Sequence, residues 1–168
     1  MTIPSVRTIP VESLDESAFA PFGELVANDG GERRRFHPAA TLAGEGAGEL
    51  RFWASHVEPA PVPLEVARLE CHPWSAQTFV PLSVERWIVI VAPTGSDGLP
   101  VEDGLRAFLA GPGMGISYRR GTWHNGTTVL GAAASFAVLM WRRNAGDDDR
   151  FHDLRQPVRI RAAASSTT

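Results

Sequence analysis

The stretch from Arg68 to Ala92 constrains the fold more than any other part of the chain. In an extended strand alternate side chains share a face, so Arg68, Glu70 and His72 point one way while Leu69 and Cys71 point the other. His72-Pro73 then breaks the run, because the residue before proline is restricted in backbone angle. After a short turn, Gln77 to Leu82 starts a new strand, and Gln77 is placed to come back beside His72. The stretch reads as the floor of a polar pocket in a small β-barrel.

At 168 residues, 43% hydrophobic and 21% charged, the chain is long enough for one good core and short for two. A single barrel domain is expected over residues 1–161, with a tail at 162–168 that is disordered by composition. A net charge of -3 offers no basic field to nucleic acid or to an anionic membrane, which leaves small molecules or protein partners. All 16 basic residues are arginines. The absence of lysine excludes Schiff-base chemistry, and arginine suits bidentate clamping of a carboxylate. Cys71 is the only cysteine, so neither an intrachain disulfide nor a cysteine-rich zinc site is available, and a reducing cytoplasm fits. The N-terminal residues lack a basic region followed by an apolar run and no window approaches the roughly 18 apolar residues of a membrane span, so a soluble, cytoplasmic protein is expected.

Val6 to Val11 reads as extended, and Ser13-Leu-Asp-Glu16 has capping-box spacing before a short helix that Pro21 and Gly23 end. Glu24 to Ala27 is a predicted strand. Asn28 to Gly31 is a turn needing positive φ, and Arg33 to His37 is a predicted returning strand. Residues 38–49 lack any period and suggest a mobile loop or lid. Further strands are expected over Leu50 to Val57, Arg106 to Leu109, Ile116 to Tyr118, Thr122 to His124 and Ser135 to Trp141. Many short strands with one helix near the start argue for a mainly β chain built as an antiparallel barrel or sandwich.

Two constellations carry chemistry. Glu70-x-His72-x4-Gln77 together with His124 copies the spacing of the cupin metal motif, with Glu70 in the first ligand place and Gln77 in the last. Imidazole and carboxylate are sound ligands for a divalent metal, whereas the Gln77 carbonyl oxygen is weak, so a metal on Glu70, His72, Gln77 and His124 stands level with a simpler account in which Glu70 and His72 pair with arginines. The second is Tyr118-Arg-Arg-Gly-Thr-Trp-His124-Asn125, whose Arg-x-Gly-x-Trp-His form is similar to the second cupin motif, where a turn delivers a histidine into the barrel mouth. Arg33-Arg34-Arg35 reads as a solvated run from which one member can reach a carboxylate.

Over residues 7 to about 145 the chain resembles the ureidoglycolate lyases of allantoin catabolism. The likeness rests on Phe19-Ala-Pro-Phe-Gly-Glu24, Arg35-Phe-His37, Leu69-Glu-x-His-Pro-x-x-x-Gln-x-Phe-x-Pro-Leu82, Glu85, Arg106-Ala-Phe-Leu109 and Gly115-Ile-Ser-Tyr-x-Arg-x-x-Trp-His124. It implies a cupin-like barrel with a short N-terminal helix, commonly a homodimer, that splits ureidoglycolate into glyoxylate and urea. The chain departs from the family at Asn125-Gly126, where His-Pro is usual, at Ser55-His56, where Asn-Arg is frequent, and near Ser135 and Met140-Trp141, where acidic residues and an Asp-Arg pair are usual.

Ureidoglycolate is a hemiaminal, so a base must take its hydroxyl proton as the carbon–nitrogen bond breaks and an acid must protonate the departing urea nitrogen. His124, with Glu70 or His72, is assigned the proton transfers, Gln77 the orientation of hydroxyl or urea, and Arg68 or Arg119 the carboxylate. Tyr118 and Glu85 complete the candidate substrate-binding set. No cofactor is required; a divalent metal on His72 and His124 would acidify the hydroxyl instead. Two alternatives stay open, a metal-dependent cupin enzyme acting on another small carboxylic acid and a non-catalytic cupin that binds a metabolite.

Overall fold

The computed structural model describes residues 6–37 and 46–161. Its strands are β1 (Thr8–Ser13), β2 (Gly23–Val26), β3 (Gly48–Val57), β4 (Leu64–Cys71), β5 (Gln77–Ser83), β6 (Arg86–Ala92), β7 (Arg106–Ala110), β8 (Gly115–Tyr118), β9 (Trp123–His124), β10 (Thr128–Leu130), β11 (Ala134–Arg143) and β12 (Arg150–Arg161), with one helix, α1 (Glu16–Phe19). One sheet runs β10-β6-β7-β1-β12-β4-β9, and an extra β6–β9 pairing closes it on itself. The other runs β2-β8-β5-β11-β3. This is the mainly β barrel with a short helix near the start that the sequence led us to expect.

Strand β6 explains why two cores form. Its run from Trp87 to Ala92 is apolar on both faces, as a strand buried on both sides must be. Trp87, Val89 and Val91 join Phe19, Phe79, Phe108, Ile116, Tyr118 and Phe136 between the two sheets. Ile88, Ile90 and Ala92 join Val66, Leu69, Cys71, Trp123, Leu154 and Ile160 inside the closed ring. Full burial of each such side chain contributes about 1.5–3 kcal/mol, which anchors β6 as the wall shared by both cores. Gly23 lets β2 lie flat on β8, since a Cβ there would stand 2.0 Å from the Ser117 carbonyl oxygen.

Four expectations change. Arg33 to His37 forms no strand, and its Arg35 pairs instead with Glu16 of the helix. The helix is capped by Asp15, whose carboxylate accepts from Ala18 N at 2.8 Å, because Ser13 is already committed to β1. The ladders are not all antiparallel, since β1 runs parallel to both β12 and β7. Strand β12, the longest, and β10 were not anticipated at all. Of the expected loop at 38–49, residues 38–45 lie outside the described residues, as does the tail at 162–168, while Gly48 and Glu49 belong to β3.

Candidate active site

Glu70 reaches the inter-sheet space because β4 alternates as its sequence dictates, with Leu69 and Cys71 buried in the ring core and Glu70 on the opposite face. Directly across the β4–β9 ladder stands His124. A turn delivers it: Gly121 adopts φ +77°, which glycine reaches without strain, and its N–H donates to the His72 carbonyl oxygen at 2.9 Å. Thr122 Oγ1 donates to the Phe22 carbonyl at 2.8 Å, so the turn is held from both sides. His72 follows β4 immediately, and its ring centroid lies 5.4 Å from that of His124.

The proton inventory of the two imidazoles is informative. His124 Nδ1 lies 2.9 Å from the Thr122 carbonyl and His72 Nδ1 lies 3.2 Å from the Asp148 carbonyl, so each ring donates from Nδ1 and leaves Nε2 bare. Both Nε2 atoms are buried without a hydrogen-bond partner. His124 Nε2 sits 3.3 Å from Glu70 Oε1, close enough for charge contact but outside hydrogen-bond alignment. The His124 imidazole holds the Glu70 carboxyl below its ordinary range, against the opposing push of burial. Burial, with His124 nearby, lowers His72 and keeps it neutral. Ligand-type atoms of Glu70, His72 and His124 all lie within 4.8 Å of one another. Three lone-pair donors thus converge, the two imidazoles with their backs secured by hydrogen bonds, a donor set and support that suit a divalent cation or a transferred proton.

Tyr118 stacks on His124 at 4.1 Å and 19°, and burial pushes its hydroxyl far up, so it stays protonated. Gln77 faces Tyr118 across the β5–β8 ladder and is buried, and its Oε1 has no partner. It shares the inner face of its strand with Phe79 and opens onto a depression of about 630 Å³ lined also by Arg51, Trp53, Met140, Arg142 and Arg143.

Other expected residues are not brought to this group. Arg68 leaves the strand on the Glu70 side but forms an exposed ion pair with Asp153 at 2.6 Å. Arg119 lines a separate depression with Phe22 and Thr94. Glu85 lies exposed in the turn between β5 and β6. Among the described residues no arginine partners Glu70 or His72: Glu70 meets His124, and His72 meets Asp148 and Asp149. Asn125 turns away, donating to Gly126 O and Thr128 Oγ1. Sequence reasoning missed Asp148, Asp149 and Arg142; the available signal was a triple aspartate, Asp147 to Asp149, between two strands.

The sequence model of the ureidoglycolate lyase family matches residues 6–161. The chain belongs to the ureidoglycolate lyase family. Among curated members, a protein of Agrobacterium fabrum described as a putative ureidoglycolate lyase is 33% identical over 92% of this chain and 96% of its own. The ureidoglycolate lyase of Pseudomonas fluorescens is 30% identical over the same shares, and that of Burkholderia cepacia is 35% identical over 77% of each chain. A solved dTDP sugar isomerase from Desulfovibrio desulfuricans G20 aligns with 17% identity and a TM-score of 0.46, over 81% of this chain and 87% of its own. Family membership places the converging Glu70, His72 and His124 within the matched segment.

Proposed function

We propose that this member of the family is a ureidoglycolate lyase, splitting ureidoglycolate into glyoxylate and urea as a step of allantoin breakdown. The observation that carries the reading is the convergence of Glu70 with the bare Nε2 atoms of His72 and His124 in one buried recess. Loss of urea from the hemiaminal carbon needs one proton removed from the hydroxyl and one delivered to nitrogen, and these three side chains can hold and pass it. Glu70, kept ionised below its ordinary range, and neutral His72 serve as acceptors, and His124 carries the proton between carboxylate and substrate. Gln77 presents an unpartnered carbonyl oxygen to the substrate's hydroxyl or amide hydrogens. Tyr118 fixes the His124 ring by stacking.

A divalent metal fits the same donors, two imidazole nitrogens and a carboxylate oxygen. A bound metal would supply Lewis-acid polarisation of the substrate hydroxyl. His72, His124 and Glu70 would hold it, their Nδ1 donors to backbone carbonyls fixing the ring directions.

The protein is further proposed to act in the cytoplasm as a homodimer. Support for the second copy comes from β3, a ten-residue sheet edge carrying exposed Leu50 and Phe52 and half-exposed Trp53, an edge that proteins rarely leave open. The test of function is incubation with racemic ureidoglycolate, with and without added divalent metal. Glyoxylate and urea released in equal amounts support the reading; binding without product formation contradicts it. Light scattering that gives a monomer at micromolar concentration contradicts the dimer.

A further inference from the structure

Asp148 is buried to 2% of its surface although it carries a carboxylate. Such burial is costly unless the oxygens are hydrogen-bonded. Both are: Oδ1 accepts from the Trp74 backbone N–H at 2.8 Å, and Oδ2 accepts from the Ser75 hydroxyl. The same residue turns its backbone carbonyl onto His72 Nδ1 at 3.2 Å. The next residue, Asp149, places Oδ1 3.1 Å from that same nitrogen. Arg142 secures Asp149 from behind with a two-pronged pair, Nη1 to Oδ1 at 2.8 Å and Nη2 to Oδ2 at 3.0 Å. His72 therefore donates to the Asp148 carbonyl with the Asp149 carboxylate beside the same nitrogen, and both residues are themselves clamped, one to the turn after β4 and the other to β11.

We propose that Asp148 and Asp149 are positioning residues for His72, fixing its proton on Nδ1 and aiming a bare Nε2 at Glu70 and His124. Asp148 sets the position of the ring by tying residues 72–75 to the segment between β11 and β12. Asp149, held by Arg142 through two bonds, sets a carboxylate oxygen behind the ring. Neither aspartate is one of the three converging donors; both act through His72. That His72 works on ureidoglycolate rests on the function proposed above, whereas the brace itself is independent of it.

The experiment uses the full chain, with ring tautomers read by long-range proton–nitrogen NMR and turnover by urea release. In the wild type, His72 is expected wholly as the Nδ1–H form. Asp148→Asn removes the charge and turns one accepting oxygen into a donor, so Ser75 must accept where it donated, the charge-assisted bonds weaken and the brace loosens. His72 should then populate the Nε2–H form, with kcat lowered about 10–100-fold and KM changed by no more than about twofold. His124, held by Thr122 within its own turn, should keep its tautomer and serve as internal control. Asp149→Asn keeps size and removes charge: the His72 Nδ1–H resonance should move upfield and kcat fall about tenfold, with Asp149→Glu restoring part of both. Should Asp148→Asn fail to fold, Ser75→Ala, which removes one of its two bonds, and Asp149→Asn carry the test.

A wild-type His72 protonated on Nε2 overturns the proposal. So do folded variants whose His72 resonances and kcat match the wild type. If the wild type releases no urea yet the tautomer responds as described, the brace stands and the substrate assignment falls.

Discussion

His124 Nε2 faces Glu70 Oε1 at 3.3 Å across the β4–β9 ladder, while its other ring nitrogen already donates to the Thr122 carbonyl. The two atoms lie in charge contact that favours the ionised Glu70 carboxylate, and a proton or a cation between them is attracted to both. This one pair therefore defines where positive charge is wanted in the molecule, and His72 Nε2 completes the ring of acceptors around it.

Replacing His124 also tests packing. The side chain is 1% exposed and stacked on Tyr118, so His124→Ala leaves a cavity and an unpaired Thr122 carbonyl. A loss of about 2–4 kcal/mol is expected, or on the order of 10 °C in Tm for a chain of this size. An unchanged melting curve by circular dichroism contradicts the packing described.

The position of the triad was legible because alternation along Arg68 to His72 is local physics, and the Gly121 turn before His124 announces itself. The longest strand was not. Strand β12 spreads four arginines through Arg150–Arg161 and interrupts them with Pro157, so it reads as a solvated segment. Only pairing shows that Leu154, Val158 and Ile160 face the ring core. Its register against β4 shifts between Asp153 and Val158, a bulge that resets which β4 residues face inward, from Val66 to Leu69. Arg68 was drawn toward the site by alternation and kept from it by Asp153 on that unforeseen neighbour. Asp148 and Asp149 escaped notice because their partners, Trp74, Ser75 and His72, are more than seventy residues away.

Glu102 joins the short turn Glu102–Gly104 to β12. Burial pushes its carboxyl up, but His152 at 3.0 Å and Arg155 outweigh that and leave it below the ordinary 4.5. A carboxylate lowered in the folded state contributes stability that is complete above the ordinary value and lost as pH falls through the folded one. Glu102→Gln should destabilise by about 2 kcal/mol near pH 7 and less below pH about 4, so that the two denaturation curves converge in acid. Parallel pH profiles for the two proteins count against this linkage.

Cys71 faces the ring core, where burial pushes its thiol up to about 12. The native protein at pH 8 should resist thiol-reactive dye and take up one equivalent only on unfolding. Labelling within seconds under native conditions would show that β4 opens readily at this position.

Gln77 carries an unpartnered buried Oε1 on the inner face beside Tyr118. If the donors hold a divalent metal, Gln77→Glu adds a stronger ligand and should raise the metal recovered per chain by elemental analysis. No rise, together with a lower Tm from an uncompensated buried carboxylate, points to a metal-free site.

In the function proposed here, Glu70, His72 and His124 together break the carbon–nitrogen bond of ureidoglycolate. Its most direct measurement is urea release by the wild type, by Glu70→Gln and by His124→Asn, each checked for native circular dichroism. Asparagine can keep the donor to Thr122 while removing Nε2, so fold and chemistry separate. The account predicts turnover by the wild type and a fall of about 10² or more in both variants, the scale of losing a general acid or base. Wild-type rates in both variants would contradict it.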